Sequence, residues 1–107
     1  MTEQLIVFVT VPSRDDGERI AAALVGEQLA ACVNVVGPIH SIYRWQGAVQ
    51  RDEEHLLLIK TTRAQYPGLE ARVQALHTYE LPEIVAVPIE RGSAAYLAWI
   101  VEATGRQ

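Results

Sequence analysis

Residues 31–62 read ACVNVVGPIHSIYRWQGAVQRDEEHLLLIKTT. Two long β-compatible runs meet at Gln46-Gly47. A glycine between two such runs is the short-range mark of a hairpin. The first run carries Val33, Val35, Val36, Ile39, Ile42, Tyr43 and Trp45, and the second ends in Leu56-Leu57-Leu58-Ile59. Each arm is far longer than a typical strand of about 5–6 residues. The tip of such a ribbon must project beyond a small domain. With Tyr43 and Trp45 near its end, it calls for a partner surface, so an obligate oligomer is expected.

The flanking segments complete the topology. Gln4–Val11 (QLIVFVTV) is a nearly unbroken β-branched run without clean alternation, which predicts a strand covered on both faces. Ser13 followed by Asp16 offers a helix cap with an acid three residues on. The helix it opens extends to about Gln28, with Ile20, Ala23 and Leu24 on one face and Gly26 weakening its end. Thr62-Arg63-Ala64-Gln65 fits a capping box for a second helix ending near His77, its face set by Leu69, Val73 and Leu76. Glu83–Glu90 reads as a strand, Ser93 as an N-cap, and Ala94–Ala103 as a final helix.

The order is β-α-β-β-α-β plus a C-terminal helix, an α+β ferredoxin-like sandwich with an extended hairpin between its second and third strands. The two most continuous apolar runs, Leu5–Val11 and Leu56–Ile59, would be its central strands. Pro38 and Pro88 fall on the other two, where a missing N–H is tolerated. Residues 1–107 are expected to form one domain, with no internal repeat or linker.

Thirteen acids against nine bases give a net charge of −4, which argues against a nucleic-acid partner. The single cysteine excludes an internal disulfide and fits a reducing compartment. The apolar run near the N-terminus is too short for a membrane span and lacks a basic leader, so a cytoplasmic protein is expected.

The segments LAACVNVV, SIYRWQG, LLLIKTT, LHTYELPEI and GSAAYLAWI resemble the CutA family of divalent-cation tolerance proteins, in order along nearly the whole chain. The resemblance implies a homotrimer, similar in architecture to the PII signalling proteins, with the long hairpins pairing between subunits and clefts that bind small ligands. It also implies a link to tolerance of copper and other divalent cations. Some members carry a histidine where this chain has Leu76 and a cysteine where it has Val9; both ligands are missing here.

The candidate residues follow from chemistry. Cys32 offers a soft thiolate for copper or zinc, and equally a small buried hydrophobe. His77 and Glu80 offer nitrogen and oxygen to a borderline divalent ion, while a histidine at a helix end also satisfies carbonyls. His40 and His55 lie on the hairpin arms, with Glu54 opposite Ile39 if the arms pair without a bulge. Asp52-Glu53-Glu54 reads as a charged, solvated segment. Lys60 ends an apolar strand and should reach an acid, a carbonyl or a ligand anion, with Glu83 a partner in the same sheet. Tyr43, Trp45, Lys60, Tyr79, Glu83 and Cys32 are the candidates for a ligand cleft, and flat amphipathic rings suit a subunit contact equally well. No glycine-rich phosphate loop, GxSxG, CxxC or HExxH occurs, so a binding protein rather than an enzyme is expected. The rival readings are a PII-like sensor of a small anionic metabolite, through Lys60, and a purely structural trimeric scaffold.

Overall fold

The computed structural model describes residues 3–105. Along the chain run β1 (Gln4–Val11), α1 (Arg14–Gly26), β2 (Cys32–Trp45), β3 (Ala48–Thr62), α2 (Tyr66–Leu76), β4 (Ile84–Pro88) and α3 (Ala94–Ala103). The strands form one antiparallel sheet in the order β2-β3-β1-β4. This is the expected ferredoxin-like arrangement. β1 and β3 are central, and the two strands interrupted by proline lie at the edges.

Strand alternation divides the sheet into two unlike faces. Val7, Val9 and Val11 of β1 and Leu57 and Ile59 of β3 are fully buried against Ile20 and Leu24 of α1 and Leu69 and Val73 of α2. Burial of each such side chain contributes about 1.5–3 kcal/mol. α1 approaches the sheet closely at Gly17, where a Cβ would stand 3.2 Å from side-chain atoms of Val11 and Leu57. The opposite face carries Ile6, Phe8 and Leu58, only half-buried, with Val36, Val85 and Val87 exposed. Within one chain, then, β1 is covered on one face and half open on the other.

The helix ends show which local signals act. α1 starts at the Ser13 cap and stops at Gly26, two residues before the expected end, because Gln28 turns left-handed (φ 61°). The Gln28 N–H then donates to the Val25 carbonyl and the Leu29 N–H to the Leu24 carbonyl, closing a Schellman turn. Burial of Leu24 and Leu29 together holds that turn. At α2 the expected box is not formed. The Thr62 hydroxyl does accept the Gln65 N–H, at 3.3 Å, but Gln65 itself is the N-cap in helical conformation, and its amide reaches the Thr104 carbonyl at 2.8 Å. Ser93 caps α3 as expected. β4 is shorter than its apolar run, although the Ile89 N–H still donates to the Gln4 carbonyl.

The hairpin turns at Gln46-Gly47, both with positive φ, and Ile39 pairs with Glu54. Its register shifts between Val36 and Ile39, where the Gly37-Pro38 peptide is cis. β1 pairs with β3 only from His55 onward. Ala48–Glu54 therefore extend past the sheet by roughly 23 Å at 3.3 Å per residue. The long axis of the molecule is 44 Å against 25 and 22 Å.

Candidate functional site: an acidic, aromatic cleft at the base of the hairpin

Directly opposed residues of an antiparallel pair share a face, as do residues two apart. The register therefore puts Tyr43, Trp45, Asp52 and Glu54 on one side of the ribbon. That side faces the connection between α2 and β4. Together they enclose a cleft of about 760 Å³, walled by Tyr43, Trp45, Glu54, Tyr79, Glu80 and Glu83.

Glu54 is the anchor of this cleft. It is 7% exposed, and the Tyr79 hydroxyl donates to its Oε2 at 2.7 Å. Burial, and then the Glu54 carboxylate, push the Tyr79 phenol well above its ordinary pKa, so it remains a proton donor at any physiological pH. The Tyr43 hydroxyl donates in the same way to Asp52, which raises its pKa too. Arg44, the basic residue of the lining, is 3.3 Å from the Gly47 carbonyl at the hairpin turn.

His77 builds the wall without entering it. It is the C-cap of α2, and its Nδ1 accepts the Tyr79 N–H at 3.1 Å. The proton must then sit on Nε2, which donates to the Thr10 carbonyl at 2.7 Å. The imidazole also packs on the Tyr79 ring, with centroids 4.6 Å apart. His77 thus ties the α2–β4 connection to β1 and orients Tyr79. Both of its nitrogens are engaged, which leaves neither for a metal ion.

Cys32 and Lys60 lie elsewhere. They face each other across β2 and β3, and the Lys60 ammonium donates to the Asn34 side-chain carbonyl. Thr10 pairs with Leu56, four residues before Lys60, which separates them by about 13 Å along the strand. Glu83 is not the partner of Lys60. β1 lies between their strands, and antiparallel pairing sets Val87, not Glu83, across from Ile6 and Lys60. Tyr43, Trp45, Tyr79, Glu80 and Glu83 come together; Cys32, Lys60 and the His77 ring nitrogens do not join them.

Among the described residues no three His, Cys, Asp or Glu side chains converge as a metal site. Cys32, His77 and Glu80 of one chain do not form a divalent-ion cage. The acidic run divides by face: Glu53 is exposed, 3.9 Å from His40, while Glu54 is buried in the cleft. The residue that sequence reasoning underrated is Glu54. Its position opposite Ile39 was legible, but its burial depends on Tyr79, contributed by a connection 25 residues away.

The comparisons with known proteins agree with this architecture. Residues 5–103 match the model of the CutA1 divalent ion tolerance protein family. The chain belongs to the CutA1 family. It is 56% identical over 100 residues to the divalent-cation tolerance protein CutA of Thermus thermophilus, covering 94% of this chain and 97% of that one. It is 45% identical over 100 residues to the chloroplastic CutA 1 of Oryza sativa, covering 94% of this chain but 56% of that longer protein. The solved Thermus thermophilus structure superposes with a TM-score of 0.93 at 55% identity, covering 95% of this chain and 99% of that one. The Archaeoglobus fulgidus CutA, described as a periplasmic divalent cation tolerance protein, gives 0.92 at 37% identity over 95% and 99% of the two chains. No helix among the described residues is long and apolar enough to cross a membrane.

Proposed function

We propose that this chain is a non-catalytic divalent-cation tolerance protein that acts as a homotrimer, binding a small ligand or ion in clefts completed between subunits. The observation that carries the reading is the CutA1 match over residues 5–103, with a 56% identical relative bearing the divalent-cation tolerance name. Two features of the chain support assembly. The hairpin extends past its own sheet, and the open sheet face exposes Val36, Val85 and Val87, each at 41% or more. Exposed edge strands with apolar residues require cover. The whole chain works as one CutA-like domain in the cytoplasm, where the single thiol stays reduced.

The ion would be copper- or zinc-like. Because both His77 nitrogens are engaged and no three donors converge among the described residues of one chain, such a site needs donors from more than one subunit. Native mass spectrometry of metal-free protein, titrated with copper and zinc, tests assembly and uptake together. The expected result is a trimer that takes up ions in multiples of three, with uptake reduced in Cys32→Ser. A monomer at micromolar concentration removes the assembly reading; a trimer that takes up no ion removes the metal reading.

A further inference from the structure

We propose that the cleft between the hairpin and the α2–β4 connection takes an organic cation: an ammonium or guanidinium group carried on a short apolar stem. The inference rests on the reading of this cleft as the ligand site of the chain and names the ligand class.

The decisive residue is Glu54. It is 7% exposed, its hydrogen-bond donor is the neutral phenol of Tyr79, and it forms no ion pair among the described residues. A buried carboxylate without a cation is costly, and a positive group brought beside it relieves that cost. Glu80 and Glu83 line the same space, against Arg44 alone, whose guanidinium is turned to the Gly47 carbonyl. The charge balance of the cleft therefore selects a cation over an anion.

The walls specify what kind. The rings of Tyr43, Trp45 and Tyr79 line the cleft, and an aromatic face attracts an ammonium or guanidinium within about 6 Å. Both tyrosine hydroxyls already donate to carboxylates, Tyr79 to Glu54 and Tyr43 to Asp52. Their protons point away from a ligand, and an incoming donor meets ring faces and phenol lone pairs. Leu81 supplies apolar contact for a stem. The volume of about 760 Å³ falls in the range of about 300–1,000 Å³ of small-molecule sites. A hard metal ion instead needs about six to eight oxygens at once, and among the described residues no three His, Cys, Asp or Glu side chains converge to hold one.

The test is isothermal titration calorimetry of the assembled full-length protein with agmatine, a guanidinium and an ammonium on a four-carbon stem. Glutarate serves as the anionic control, and zinc is titrated separately. Glu54→Gln keeps an oxygen for the Tyr79 hydroxyl and removes the charge; Glu83→Gln removes a charge at an exposed position and covers the case in which Glu54→Gln does not fold. Saturable agmatine binding, no glutarate binding, and at least about tenfold weaker agmatine binding in Glu54→Gln (or in Glu83→Gln, if the former does not fold) are expected. No saturable agmatine heat overturns the proposal, whether the cleft is unsuited or already filled by a basic side chain of a second copy. So does glutarate binding as tight as agmatine, or agmatine affinity unchanged in both variants. Zinc uptake without agmatine binding overturns this inference and leaves the metal reading; agmatine binding without zinc uptake does the reverse.

Discussion

Ser13 uses its hydroxyl twice at the start of α1. It accepts the Asp16 N–H at 3.1 Å and donates to the Asp16 carboxylate at 2.9 Å. That second bond, followed by Arg19 at 3.2 Å, holds the Asp16 carboxyl below its ordinary value of 3.8. A group whose pKa is depressed by folding stabilises the protein above its unfolded pKa and loses that contribution as pH falls through the folded one. Ser13→Ala should cost about 1 kcal/mol at pH 7 from the lost cap. The gap between wild type and variant should narrow as pH falls below 3.8 and through the lower folded pKa of Asp16, because protonation removes the acceptor of the Ser13 hydroxyl. Urea unfolding at pH 7 and pH 3 checks this; a gap that widens in acid would contradict the Ser13–Asp16 pairing. At this scale the sequence was legible where partners are close along the chain, as with Ser13 and Asp16. It was illegible where partners come from afar. Lys60 was expected to reach an acid, a carbonyl or a ligand anion and reaches the Asn34 side-chain carbonyl, but the named partner Glu83 lies elsewhere, and Glu54 was expected to be solvated and is buried under Tyr79. Periodicity reports which face a residue occupies, not which distant loop closes over it.

The hairpin was the most legible element, because a turn glycine and the alternation on both sides determine register without distant contacts. The Gly37-Pro38 irregularity was legible too, though its cause was not. A Cβ at Gly37 would lie 2.6 Å from the His55 ring, so β2 can follow β3 there only without a side chain. The His55 ring is packed closely enough that its Nδ1 is buried with no hydrogen-bond partner among the described residues. Gly37→Ala should therefore destabilise by about 1–3 kcal/mol through overpacking. In a His55→Ala background the same substitution no longer meets the imidazole and should cost at least about 1 kcal/mol less, a coupling expected of residues in contact. A double-mutant cycle by chemical denaturation measures it. Additive costs would mean that backbone conformation, and not the imidazole, excludes a side chain at position 37. Helix ends were less legible than strands, because α1 is stopped by the buried Leu24–Leu29 turn and α2 starts at Gln65, whose amide is held by the distant Thr104 carbonyl, neither of which a local cap reveals.

At the scale of the whole molecule, the shape carries the argument. A compact chain of this length has a radius of gyration of about 13 Å, whereas this one measures 14.3 Å because the ribbon projects. The projecting part exposes Ile42 at 63%, Val49 at 58%, Tyr43 at 41% and Trp45 at 37%. None of these side chains belongs to the helix-covered core. Their exposure is stable only if something else covers them, and the proposed trimer does so with copies of the same ribbon. Trp45 is then a contact residue and not a folding residue. Buried aromatic anchors at interfaces commonly cost about 2 kcal/mol or more when truncated, which is more than a tenfold change in dissociation constant. Trp45→Ala should weaken assembly at least tenfold, seen by sedimentation velocity over a range of protein concentrations. Its far-ultraviolet dichroism should stay close to wild type, because β1, β3 and both core helices are untouched. Cost should appear as a melting temperature that rises with protein concentration more steeply than in the wild type, since an oligomer that dissociates before unfolding is stabilised by mass action. A variant that sediments and melts like the wild type at every concentration would mean that the ribbon tip is free in the assembly, and the cover for the open sheet face would have to be sought from the body of the sheet instead.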